Sequence, residues 1–95
     1  MVDPDLARRA GVELPGWALE GEELVGRWRL PDFSSALAAA VRVGTLAERA
    51  DHHPELRVAW GSLEVRLTTH KARTLTDRDL DLAAAIQSAL HPPRR

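Results

Sequence analysis

Apolar positions recur along this chain with two periods, one helical and one alternating, and the switches between them predict its elements. Asp5 to Gly11 reads as a short helix closed by its glycine. Val12 to Gly16 contains Pro15 and reads as a loop that delivers Trp17. From Leu19 to Leu30 two short strands fit, with Gly21 and Gly26 as turn or bulge points. In the second strand Leu24, Gly26, Trp28 and Leu30 share one parity and Val25, Arg27 and Arg29 the other, so one face is apolar. Pro31-Asp32 then opens a long helix, because an N-cap aspartate accepts from a backbone N–H that otherwise lacks a partner. Phe33, Ala36, Leu37, Ala40, Val41, Gly44 and Ala47 mark one apolar stripe along it. The pattern ends near Asp51, since His53 precedes Pro54 and is biased toward extended backbone.

A hairpin follows. Leu56, Val58 and Trp60 alternate, Gly61-Ser62 supplies a Gly-X turn of the II′ kind, and Leu63, Val65, Leu67 and Thr69 alternate again. The last helix starts at Thr76, with Leu75 and Leu80 at the spacing of a hydrophobic staple. It buries Leu82, Ala83, Ile86 and Leu90 and stops before Pro92-Pro93. The order α-β-β-α-β-β-α predicts an α+β fold, a four-stranded antiparallel sheet with two to three helices packed on one face. Residues 1–95 form a single domain, with 1–13 and 91–95 peripheral or flexible. The open sheet face and the edge strands are then available to another copy.

Charge narrows the partners. Thirteen Lys and Arg against fourteen Asp and Glu give a net charge of −1, which disfavours a mechanism that needs a large cationic surface for nucleic acid phosphates. Arg57, Arg66, Arg73 and Arg78 sit among Glu55, Glu64, Asp77, Asp79 and Asp81, a solvated face of mixed charge. The chain has no cysteine, which removes disulfides, thiolate zinc sites and cysteine nucleophiles together. No apolar run approaches the ~20 residues of a membrane span, and MVDPDLARRA lacks the basic start and apolar stretch of a signal peptide. The cytoplasm is the expected location by elimination.

The residues able to do chemistry concentrate in the second half. His52-His53-Pro54 lies at a helix-to-strand junction, His70 follows a strand, and Asp79 lies nine residues further on. Histidine titrates near neutrality and can donate or accept a proton there. The pair also suits a helix C-terminus, where a cationic ring meets the dipole, and the residues alone leave both readings open. His70 alone reads as a surface residue; beside the pair it suggests a proton-transfer site. A metal site is the weaker choice, because the spacings match no ligand signature. Asp79 fits the third position of a helix capped by Thr76, and it also fits a carboxylate that orients a histidine. Trp28 reads as core, Trp17 as a wall for a flat heterocycle, and Trp60 as core or interface. His91 carries no role.

Several segments together carry a resemblance. They are Ala47-Glu48-Arg49-Ala50-Asp51-His52-His53-Pro54-Glu55, Trp60, Leu67-Thr68-Thr69-His70, and Leu75 to Ala83, joined by Gly16-Trp17 and Asp32-Phe33. This pattern, from about Leu14 to Leu90, resembles the pterin-4a-carbinolamine dehydratases. The resemblance implies dehydration of 4a-hydroxytetrahydropterin to quinonoid dihydropterin by histidine acid–base catalysis, with no cofactor and no metal. It implies His52, His53 and His70 as catalytic residues, with Asp79 as the carboxylate that holds His70. Pro54, Thr69 and Lys71 would line the pterin, with Trp17 beside them. It implies a homodimer or homotetramer and an aromatic amino acid hydroxylase as pathway partner. A non-catalytic dimerisation, assembly or transcription-cofactor module is the alternative, and a pterin sensor a third class. Two positions depart from the family pattern. Thr74 stands where glycine is usual, which predicts strain if that position needs positive φ. Lys71 stands where an acid is common.

Overall fold

A computed structural model describes residues 1–93 of the chain. The elements are α1 (Pro4–Glu13), β1 (Ala18–Glu20), β2 (Glu23–Arg29), α2 (Phe33–Ala50), β3 (Glu55–Ala59), β4 (Ser62–Leu67) and α3 (Asp77–Leu90). The strands form one antiparallel sheet in the order β1-β2-β4-β3, so the α+β architecture is the one the alternation predicts. Register makes its inner face apolar: Leu24 pairs with Leu67, Gly26 with Val65 and Trp28 with Leu63. These side chains join Val43 and Ala47 of α2 and Leu82, Ala83 and Ile86 of α3 in one buried cluster. No helix among the described residues is long and apolar enough to cross a membrane.

The outer face is ionic. Arg27 donates to Glu20 and Glu64, and Arg66 donates to Glu64, Glu23 and Glu20. The Arg66 hydrogen bond, ahead of that from Arg27, holds the Glu64 carboxyl below its ordinary range. The arginines that a nucleic acid would need are in part already paired.

Several local expectations shift. Gly21, at φ 62, opens a two-residue turn between Glu20 and Glu23 and supplies the left-handed backbone required there. Gly26 is neither turn nor bulge. It lies inside β2, where an added Cβ would fall 2.7 Å from Trp28 and 2.8 Å from Trp17. The two indoles meet edge to face at 5.3 Å above it. The second hairpin turns at Trp60-Gly61 rather than Gly61-Ser62: Ala59 pairs with Ser62, and Gly61 takes φ 73 as the second turn residue. Trp60 is therefore 75% exposed at the tip.

On α2 the buried face consists of Ala36, Ala39, Ala40, Val43 and Ala47. Phe33, Leu37 and Val41, placed on the same stripe by the sequence, are 47%, 48% and 63% exposed. Small side chains let the helix lie close to the sheet, and the larger ones turn to the flank. Asp32 caps α2 as expected, accepting from Ser35 N at 2.8 Å.

The N-terminal segment read as peripheral forms α1, contacts α3 and places Ala10 in the core. At the other end, Trp28 Nε1 donates to the His91 carbonyl at 3.0 Å, and Pro93 is buried against Gly16. Residues 94 and 95, read as peripheral with them, lie outside the described residues.

Gly26→Ala tests the indole packing. The methyl must displace two buried rings, a cost of about 1–3 kcal/mol, so the melting temperature should fall by about 4 °C or more. Differential scanning calorimetry checks it.

Candidate active site

Three segments that are separate in sequence meet at one buried carboxylate. The first is the end of α2. Asp51 takes the left-handed conformation at φ 48, one that aspartate tolerates better than bulkier residues. The N–H of His52 then returns to the Ala47 carbonyl at 3.1 Å. Arg78 reaches over from α3 and donates to the Asp51 carbonyl at 2.6 Å, which ties the two helices at this point. The turn leaves the His52 ring 8% exposed and sends His53 outward.

The second segment is the start of α3, where Leu75 and Leu80 are both buried. Asp79 is fully buried, at 0% exposure. Its Oδ2 accepts from Thr76 N at 3.0 Å, the capping role that the sequence suggests. Its Oδ1 lies 2.5 Å from His52 Nε2. The cap and the histidine-orienting role are held by one carboxylate, one on each oxygen.

The third segment follows β4. Thr69 pairs with Thr74 in an isolated bridge and starts a tight loop: Ala72 N bonds Thr69 O, and Arg73 N bonds His70 O. His70, Lys71 and Arg73 are exposed on this loop. The positive φ falls on Arg73, at 58°, and not on Thr74. The strain expected of a β-branched residue at position 74 is therefore avoided by a one-residue shift.

The structure sorts the expected site residues. It brings together His52, Asp79 and Thr69. The carboxylate expected to hold His70 holds His52 instead, because the α2 turn carries that ring onto α3. His53 Nε2 lies 2.5 Å from Glu48 Oε1 on the surface. Pro54 is half-buried beside it. Trp17, expected to wall a ligand, is 4% exposed and packed on Trp28, because Gly26 leaves room for both rings. Its indole N–H has no hydrogen-bond partner among the described residues. Thr69 is buried with its hydroxyl on Asp79, so it does not face a ligand as the resemblance implies.

His52 borders a cavity. It measures about 360 Å³, within the roughly 300–1,000 Å³ of small-molecule sites, and its lining includes His52, Leu46, Arg49, Arg78, Asp81 and Leu82. Neither His53 nor His70 is among its lining residues. Leu46, Ala50 and Leu82 offer an apolar wall, and the guanidiniums of Arg49 and Arg78 offer donors. Sequence reasoning missed both arginines; the signal available was their helical position, one three residues before His52 and one immediately before Asp79. Among the described residues no three His, Asp or Glu side chains cluster as metal ligands.

Comparisons with known proteins place this chain in a wider group. The family model described as pterin 4 alpha carbinolamine dehydratase matches residues 2–89. A relative from Roseiflexus sp. (strain RS-1), provisionally named a pterin-4-alpha-carbinolamine dehydratase, is 41% identical over 93% of this chain and 94% of its own. One from Rhodopseudomonas palustris (strain BisB18), named likewise, is 47% identical over 80% of this chain and 77% of its own. A crystal structure titled transcriptional coactivator/pterin dehydratase, from Brucella melitensis, superposes with a TM-score of 0.82 at 28% identity, covering 90% of this chain and 94% of that one. A pterin dehydratase-like protein titled as a RuBisCO assembly factor superposes at 0.64 with 16% identity, covering 77% of this chain and 87% of that one, a likeness of fold alone.

Asp79→Ala strips a buried imidazole, a hydroxyl and an N–H of their common acceptor. It should cost about 3 kcal/mol or more. Asp79→Asn keeps the shape and one acceptor oxygen and should cost less. Urea denaturation of both variants checks the ranking.

Proposed function

The chain belongs to the pterin 4 alpha carbinolamine dehydratase family, and from that premise we propose that it dehydrates a 4a-hydroxytetrahydropterin to quinonoid dihydropterin and water. The single observation that carries this reading is the buried His52–Asp79 pair at the wall of a cavity of ligand size. In the reaction the C4a–O bond breaks, the oxygen leaves as water after gaining a proton, and the adjacent ring nitrogen gives up its proton to form the C=N bond. One group donates and one accepts, both near neutral pH, a division of labour suited to imidazoles. His52 takes one of these roles, held by Asp79 as a carboxylate holds the ring in other histidine-dependent sites. His53 and His70, exposed on surface turns outside the cavity lining, are the candidates for the other. Arg49 and Arg78 offer donors to the pterin's oxygen and nitrogen acceptors.

Dehydration of a synthetic carbinolamine by His52→Ala, His53→Ala and His70→Ala tests the reading. Loss of one acid–base group slows such steps by roughly 100- to 10,000-fold. His52→Ala should fall in that range, and at least one of the other two with it. Unchanged rates in all three variants overturn the reading. Absent turnover in the wild-type chain, together with a stoichiometric protein partner, would instead favour a binding module.

A homo-oligomer is part of the same proposal. Phe33, Leu37 and Val41 form an exposed apolar row on α2, and space is open where a Cβ at Gly44 would point. If a second copy of α2 packs antiparallel about the midpoint of Leu37 and Val41, Leu37 faces Val41 and Phe33 faces Thr45, beside the gap at Gly44. The row is thus self-complementary, in keeping with the association expected of an apolar patch. Val41→Glu should convert the assembly to monomer in sedimentation velocity with its circular dichroism unchanged. A wild-type chain that sediments as a monomer overturns the oligomer.

A further inference from the structure

A hydroxyl that the resemblance would aim at a ligand is turned inward. Thr69 is 9% exposed, and its Oγ1 donates to Asp79 Oδ2 at 2.8 Å and lies 2.7 Å from Thr76 Oγ1. A threonine hydroxyl has one hydrogen and two lone pairs. With its hydrogen on Asp79, Thr69 can only accept from Thr76, so the Thr76 hydroxyl is the donor between them. The hydrogens therefore run in one direction, from Thr76 to Thr69 to Asp79. The same Oδ2 also receives the Thr76 N–H at 3.0 Å. Two donors from two different elements, the end of β4 and the start of α3, thus fix one oxygen and with it the carboxylate plane. The other oxygen is left aimed at His52 Nε2. With the backbone N–H alone, one donor instead of two would fix that oxygen.

We propose that Thr69 is a positioning residue that sets the Asp79 carboxylate and, through it, the tautomer of His52. Because a carboxylate only accepts, the neutral ring then carries its hydrogen on Nε2 and keeps Nδ1 as the basic nitrogen. The proposal rests on the reading of His52 as an acid–base group, and it adds the element that orients that group. The Thr76 hydroxyl has a share in it, since it occupies the acceptor side of Thr69 and leaves the Thr69 hydrogen no use except Asp79. Placing this relay in a dry interior strengthens each of its bonds.

Thr69→Val keeps the shape and the β-branch and removes the hydroxyl, while Thr69→Ser keeps the hydroxyl. The first measurement is the 15N chemical shifts of the His52 ring in the free protein, which report the tautomer without any turnover. Wild type and Thr69→Ser should show one tautomer with the hydrogen on Nε2, and Thr69→Val should show an average of two. The second is dehydration of the synthetic carbinolamine. Loss of a hydrogen bond to a charged group corresponds to a fall in kcat of about ten- to a hundredfold. That fall should come with KM little changed and the pH profile of kcat displaced, and Thr69→Ser should recover most of it. A Thr69→Val protein with the wild-type tautomer and pH profile overturns the proposal. If Thr69→Val fails to fold, Thr76→Val removes the donor that orders the Thr69 hydroxyl, together with the N-cap hydroxyl of α3, and the same ring spectrum decides: a wild-type tautomer there overturns the proposal. Should the wild-type chain turn over no carbinolamine, the dehydratase reading fails while the spectrum still tests Thr69.

Discussion

A carboxylate sealed from water sets the terms for the rest of the molecule. Asp79 has no exposed surface, and burying such a group is costly unless its oxygens are matched. Its partners come from three places: His52 after α2, Thr69 after β4, and the Thr76 backbone before α3. All three segments must arrive together. The left-handed turn at Asp51 and the Arg78 bond across to it hold the first in place, and the buried Leu75 and Leu80 hold the last. Stability and chemistry are thus joined at one group.

The sheet divides the remaining work. Its inner face is covered by the small residues of α2 and by α3, which brings the helix ends close to the end of β4. Its outer face carries interlocked carboxylates and guanidiniums. Exposed pairs of this kind add little stability singly, about 0–1 kcal/mol each. Their effect here is to keep four adjacent strands from presenting a bare apolar surface.

Much of this was legible in the chain. Element order, the Asp32 cap and the strand parities rest on neighbours within a few residues, and such signals survive in a linear reading. Positions that depend on distant partners were not legible. Asp79 was matched to His70, nine residues away, whereas its partner is His52, 27 residues away and carried there by the α2 turn. Trp17 looked free because it follows Pro15-Gly16, yet Gly26 on another strand makes its pocket. On α2 the period was right and its phase was off, since Ala39 and Val43 were absent from the expected stripe and Leu37 and Val41 were on it. Hydrophobicity ranks the larger side chains higher, while the closeness of the sheet selects the small ones.

The three indoles are unequally distributed. Trp60 stands at a hairpin tip in water, while Trp17 and Trp28 share the interior with the His91 carbonyl bonded to one of them. None of the three lines the His52 cavity. Intrinsic emission is therefore a gauge of whether the interior is intact, separable from Trp60 by a water-borne quencher. It is a poor optical gauge of what enters the cavity, for which a fluorophore brought by the ligand itself is the better choice.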